Sequence, residues 1–192
     1  CPWGRLGSLP AAKGALPEGR TKLRDPMATF SARFLGCKVS FADAQAVRER
    51  LLADGHTEVG DGGEVAVVNT CCVTHEAVSK SRQAVARAAR THGHVYVTGC
   101  AANLDSAFPE PAHNVTVVAR PSEEMPDAVA GHVGAIACVQ SHARLERTRA
   151  FVKIQDGCSF SCAFCVIPLV RGGTRSRHAA GVLAEIRRRV AQ

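Results

Sequence analysis

Nine of the 192 residues are cysteine, and six of them fall into two sets with metal-ligand character. Cys158, Cys162 and Cys165 stand in GCSFSCAFC as C-x3-C-x2-C. Three thiolates on so short a loop suit a cubane iron–sulfur cluster, which cysteine holds. A structural zinc site wants four ligands, usually as two C-x2-C knuckles, and only one such pair occurs here. Three protein ligands leave one iron of a cubane open to another molecule. Cys37, Cys71 and Cys100 form the other set: each closes a strand-like segment, RFLGC, VVNTC and YVTGC. The carboxyl ends of the strands of an open parallel sheet form its binding edge. Three neighbouring strands would therefore deliver three thiols to one edge, where they can converge on one metal centre. Any one of them alone reads as a small buried hydrophobe. Cys1, Cys72 and Cys138 share neither setting and are given no role. Adjacent strand residues point to opposite faces, so one of Cys71 and Cys72 is expected to face a bound centre, unless the turn after the strand breaks the alternation.

The elements that must position these thiols alternate strand with helix from residue 28 onward. Residues 30–35 alternate as a strand, and 40–54 have helical spacing with Ala44, Val47, Leu51 and Leu52 on one face and Gly55 as a stop. Residues 65–69 form a short continuous apolar run, as in a strand covered on both faces. Helical spacing returns over 76–91, with Val78, Ala84, Val85, Ala88 and Ala89 inside and Lys80, Arg82, Arg87 and Arg90 outside. Strands are predicted over 94–98 and 114–119, and a short helix over 122–130. This β-α-β-α-β series implies an α/β fold with a parallel sheet and helices on its faces. Residues 131–142, rich in Gly and Ala, read as a connector. A strand over 150–155 (AFVKIQ), the three-cysteine loop, a Pro/Gly/Arg-rich turn and a helix over 178–189 follow. One strand and one helix cannot bury their own apolar faces, so this second unit reads as part of a domain.

The length fits one domain or one and a fraction. Residues 1–26 interleave Pro2, Pro10, Pro17 and Pro26 with four glycines and carry no period, so a disordered leader is expected. The domains are then 27–140, and 144–192 as the start of a second. Met27 precedes the first ordered segment and is expected to be the true start; a native N-terminus upstream of it would refute this. No apolar run approaches the ~20 residues that span a bilayer, and no signal peptide opens the chain. A reducing cytoplasm with metal-bound thiols is expected over a disulfide framework, which the odd cysteine count also disfavours. The net charge of +7 is confined to one region. Residues 1–143 hold 14 basic and 14 acidic side chains, whereas 144–192 hold 10 and 3. That asymmetry points to an anionic partner or to a solvated basic face.

The cysteine motifs and their neighbours resemble the tRNA methylthiotransferase family, radical S-adenosylmethionine enzymes with two iron–sulfur clusters. The resemblance spans about 27–192 and rests on LGCKVS at 35–40, NTCCVTHEAVSKSRQ at 69–83, VTGCAA at 97–102, KIQDGCSFSCAFC at 153–165 and IPLVRGGTRSR at 167–177. It implies a Rossmann-like N-terminal methylthiotransferase domain followed by the first β/α unit of a truncated radical barrel, and a chain of this extent is expected to be inactive alone. It implies that Cys37, Cys71 and Cys100 hold an auxiliary 4Fe-4S cluster. Cys158, Cys162 and Cys165 would hold the radical 4Fe-4S cluster, whose open iron binds S-adenosylmethionine. Phe164 occupies the aromatic position that packs on the cofactor's adenine; simple packing is the alternative.

The motif wording is most like the group that modifies threonylcarbamoyladenosine in tRNA. Other groups of the family modify isopentenyladenosine in tRNA or an aspartate of a ribosomal protein, and usually read GCQMN or GCPKN at the first motif. This chain departs from its group at Ser40, where Asn is usual, and at Cys72, where Thr is usual. The implied reaction exchanges a hydrogen on carbon 2 of the adenine for a methylthio group. The implied partners are tRNA and an electron donor, with no membrane. Arg171, Arg175 and Arg177 follow the cluster loop and are candidate RNA contacts, or partners of carboxylates. Arg187, Arg188 and Arg189 would complement the dipole at the end of their helix. From a different class, a non-catalytic zinc-binding module with an RNA-binding tail is the competing reading, and a metal analysis separates the two.

Overall fold

The computed structural model describes residues 28–119, 121, 123–134 and 150–191. The expected leader, most of the connector, Cys1 and Cys138 lie outside the described residues. Five strands form one fully parallel sheet: β1 (Thr29–Phe34), β2 (Thr57–Glu58), β3 (Val65–Thr70), β4 (His94–Gly99) and β5 (Val115–Val117), in the order β2-β1-β3-β4-β5. Helices α1 (Lys38–Ala53), α2 (His75–Thr91) and α3 (Met125–Val133) cover its faces. The fold is α/β and Rossmann-like, as the alternation of elements requires.

β3 is buried along its whole length, because helices cover both of its faces. Val65 and Val67 point to the side of α1 and α3 and pack with Phe30, Val47, Leu51, Tyr96 and Val129. Ala66 and Val68 point to the side of α2 and pack with Ala84, Val85 and Ala88. Each fully buried Val, Leu or Phe side chain contributes roughly 1.5–3 kcal/mol, so both faces are secured by side chains two residues apart. α2 starts where Thr74 accepts a hydrogen bond at Oγ1 from the Ala77 amide at 3.0 Å, which satisfies an orphan N–H of the first turn. α1 is less regular: it buries Ser40, Asp43 and Gln45 beside Val47 and Leu51.

The short β2 escapes sequence reading because two residues carry no period. The second unit departs further. The strand expected over 150–155 is confined to β6 (Gln155–Asp156), paired antiparallel with β7 (Arg175–Ser176). A ladder needs a neighbour, and β7 is the only one among the described residues. Between them lies α4 (Ile167–Arg171), and α5 (Ala179–Val190) ends the described chain with none of its residues buried. Leu183, Ile186 and Val190 are exposed on it.

Candidate metal centre

β1, β3 and β4 are adjacent in the sheet, and their carboxyl ends carry Cys37, Cys71 and Cys100. The strand order turns back between β1 and β3, the place where open α/β sheets leave a crevice for a ligand. Cys37 takes the N-cap position of α1 and is exposed. Cys71 lies just beyond β3 and is half-buried. Cys100 opens the 3-10 turn Cys100–Asn103 after β4 and is buried. Polar side chains lock the strand ends: Ser40 Oγ donates to Asn69 Oδ1 at 2.6 Å, and Thr70 Oγ1 donates to the Thr98 carbonyl at 2.6 Å. The serine at position 40 thus still reaches the strand that leads to Cys71. Ser81 of α2 grips Cys71 twice, accepting from its amide at 3.1 Å and donating to its carbonyl at 3.2 Å. Gly99 turns the chain into Cys100 at φ +89°, and a Cβ there would stand 2.5 Å from the Thr70 carbonyl oxygen.

The two adjacent cysteines make different contacts. Cys72, given no role from sequence, hydrogen-bonds the Cys100 thiol, while Cys71 is tied by its backbone to Ser81. β3 ends at Thr70, so both lie beyond the strand, where its alternation no longer applies. The Cys72 S–H donation pulls the Cys100 thiol down to about 7, against its burial and with help from the nearby Arg171 guanidinium. Cys72 itself is pushed up by that bond, by burial and by the charges of Cys100 and Cys71. Val170 of α4 closes over the pair, packing with Cys72, Cys100, Ala101 and Ala107.

The other set is open to solvent. Cys158 is half-buried, and Cys162 and Cys165 are exposed. The loop is pinned at its ends: the Cys158 amide donates to the Gly172 carbonyl at 3.0 Å, and Ser159 and Thr174 exchange two bonds, each 3.0 Å, between amide and hydroxyl. Gly157 sits at φ +72°, where a Cβ would meet the Gly173 carbonyl oxygen at 2.1 Å. Phe164 is 89% exposed, so it does not serve as packing among the described residues.

The basic segment is largely paired within the chain. Arg171 is buried against Asp43, Asp156 and Cys100, so its guanidinium faces protein and makes the carboxylate pairs that stood as the alternative to RNA contact. Arg175 pairs with Glu123 at 2.9 Å, and Arg177 with Glu185 at 2.7 Å. Arg188 and Arg189 both reach Glu49 of α1, beyond the dipole of their own helix. Five basic residues of the charge-rich segment thus meet acids of the first unit, Lys153 with Asp43 among them. A groove of about 720 Å³ remains between α1 and α5, lined by Arg175, Arg177, His178 and Arg188 among others.

The donors fit iron–sulfur ligation by their chemistry: all six assigned cysteines are free thiols, and Cys100 already lies beside a cation that favours its anion. In the described arrangement no three His, Cys, Asp or Glu side chains stand close enough to hold a metal ion.

Residues 29–118 match the Uncharacterized protein family UPF0004. The chain is 34% identical over 165 residues to the threonylcarbamoyladenosine tRNA methylthiotransferase MtaB of Chlamydia pneumoniae, covering 82% of this chain and 39% of that protein. It is 35% identical over 175 residues to the ribosomal protein methylthiotransferase RimO of Thermus thermophilus, covering 86% of this chain and 40% of that one. The chain belongs to the methylthiotransferase family. It spans about two fifths of the length of the curated relatives it matches. The family match takes in the whole sheet and all three of its edge cysteines, and ends before the C-x3-C-x2-C loop. Among the described residues, no helix is long and apolar enough to cross a membrane.

Proposed function

We propose that the protein to which this chain belongs methylthiolates carbon 2 of N6-threonylcarbamoyladenosine in the tRNA anticodon loop. The observation that carries this reading is that Cys37, Cys71 and Cys100 follow the carboxyl ends of three adjacent strands, while α4, which follows the Cys158, Cys162 and Cys165 loop, packs beside Cys100. Cys37, Cys71 and Cys100 would hold an auxiliary 4Fe-4S cluster, and Cys158, Cys162 and Cys165 the cluster that binds S-adenosylmethionine. These groups supply radical removal of an unactivated hydrogen and the sulfur and methyl that replace it, chemistry that no side-chain acid or base performs. The protein's own part is positional. Ser81 orients the backbone of Cys71, the exposed Phe164 is free to cover an adenine, and Arg175 and Arg177, each paired with a glutamate, line a groove of mixed charge in which they would meet RNA phosphate only by exchanging those partners. We place the sheet domain at 27–140 and a second unit at 144–192.

The motif wording and the Chlamydia relative support threonylcarbamoyladenosine as substrate. The relatives that act on a ribosomal protein, at similar identity, support a second reading in which a protein aspartate is modified. Nucleoside mass spectrometry of tRNA from a deletion strain tests the choice. The expected result is loss of the methylthio mark from threonylcarbamoyladenosine. Intact tRNA with an unmodified ribosomal protein would overturn it in favour of the second reading.

A further inference from the structure

Arg171, the last residue of α4, is 9% exposed, and its three nitrogens reach three separate parts of the chain. Nε donates to Cys100 Sγ at 3.1 Å, Nη1 to Asp156 Oδ1 at 2.8 Å and Nη2 to Asp43 Oδ2 at 2.8 Å. Asp43 lies on α1, the helix that Cys37 caps, and Asp156 lies on β6, which leads into Cys158. One guanidinium therefore touches the Cys100 sulfur and ties down the elements that carry Cys37 and Cys158.

The charges around it explain why the contact to sulfur is more than an accident of packing. Lys153 Nζ also bonds both carboxylates, at 2.5 Å to Asp43 and 3.2 Å to Asp156. Two cations thus face two carboxylates, and these four charges cancel without Cys100. A neutral thiol is a weak acceptor, whereas a sulfur carrying ligand charge makes the Nε–H bond charge-assisted and strong. Groups that hydrogen-bond a metal-bound sulfur orient it and shift the potential of the centre.

We infer that Arg171 is a positioning residue for a cluster at the sheet edge. Its Nε–H holds and tunes the Cys100 sulfur, and its pairs with Asp43 and Asp156 fix the neighbouring cysteine loop to the same edge. The inference rests on the proposed assignment of Cys37, Cys71 and Cys100 as cluster ligands. An N–H donor withdraws charge from the ligand sulfur and favours the reduced cluster, so removing it lowers the potential.

The test uses the full-length protein, reconstituted anaerobically with iron and sulfide and titrated potentiometrically with electron paramagnetic resonance as readout. Added S-adenosylmethionine marks the signal of the loop cluster. Arg171→Lys keeps a positive charge beside Asp43 and Asp156 and removes the Nε–H. The expected result is full iron content with the sheet-edge cluster about tenfold harder to reduce, a fall of about 59 mV for a one-electron couple. Arg171→Gln is expected to lose iron affinity at the sheet edge as well, about 10- to 100-fold; if that variant does not fold, Arg171→Lys carries the test by itself. Normal iron with an unshifted sheet-edge potential in Arg171→Lys would reduce Arg171 to a structural ion pair and overturn the inference alone. Failure of the unsubstituted protein to take up any cluster at Cys37, Cys71 and Cys100 would overturn the assignment beneath it, and the inference with it.

Discussion

Cys100 is 4% exposed at the end of a central strand, under Val170 and beside Arg171, whereas Cys162 and Cys165 lie in the open on a loop whose Phe164 is 89% exposed. The sheet-edge thiols are placed by long-range architecture: parallel pairing, a crossover between β1 and β3, and helices that hold the strand ends. The loop thiols are placed by sequence spacing and a handful of bonds at the two ends of the loop. Damage to the sheet should therefore cost stability and edge geometry together, while damage to the loop should cost ligation alone.

Four substitutions break or sharpen that contrast. Phe30 is fully buried under α1; Phe30→Ala should cost about 4 kcal/mol in urea unfolding, with the loop's own bonds untouched. Gly99→Ala puts a Cβ against the Thr70 backbone at a φ that disfavours side chains. It should cost about 3 kcal/mol in the same measurement and weaken iron uptake at the sheet edge. A Gly99→Ala protein of unchanged stability would show that this strand end yields more easily than its contacts imply. Ser81→Ala removes both bonds to the Cys71 backbone; a loss of about 2 kcal/mol is expected, with less iron at the edge set and a normal complement at the loop. Phe164→Ala should change stability by less than about 0.5 kcal/mol, since the ring is exposed, yet weaken S-adenosylmethionine binding in equilibrium dialysis of the reconstituted full-length protein. Unchanged binding would remove Phe164 from the cofactor site.

Much of the sheet was legible because its signal is local. The continuous run at β3 and the helical spacing of α2 each lie within one segment, and a strand-end cysteine is recognisable from its neighbours. Ranges at 30–35, 65–69, 94–98 and 114–119 all correspond to observed strands. The contacts of Cys72 and Arg171 were not legible. Both depend on which way the chain turns after β3 and α4, and no period encodes that. One signal did exist. Ser40, Asp43, Val47 and Leu51 share the buried face of α1, and an acid on an inward face needs a cation partner. Asp43 therefore asked for an Arg or Lys from elsewhere, though not which one. The basic segment misled in the complementary way, because counting charge along the chain cannot see Glu49, Glu123 and Asp43 waiting across space.

From sequence alone came the types and spacing of the ligands, the alternation that makes a parallel sheet, and the family resemblance, since each is written in residues a few positions apart. Only the tertiary structure decided that Cys72 rather than Cys71 meets Cys100, that Arg171 is buried among carboxylates instead of offered to RNA, and that five cations of the basic end are answered by the first unit. Those outcomes are set by burial: a charge or thiol removed from water must find its partner wherever the fold brings one, at any distance along the chain.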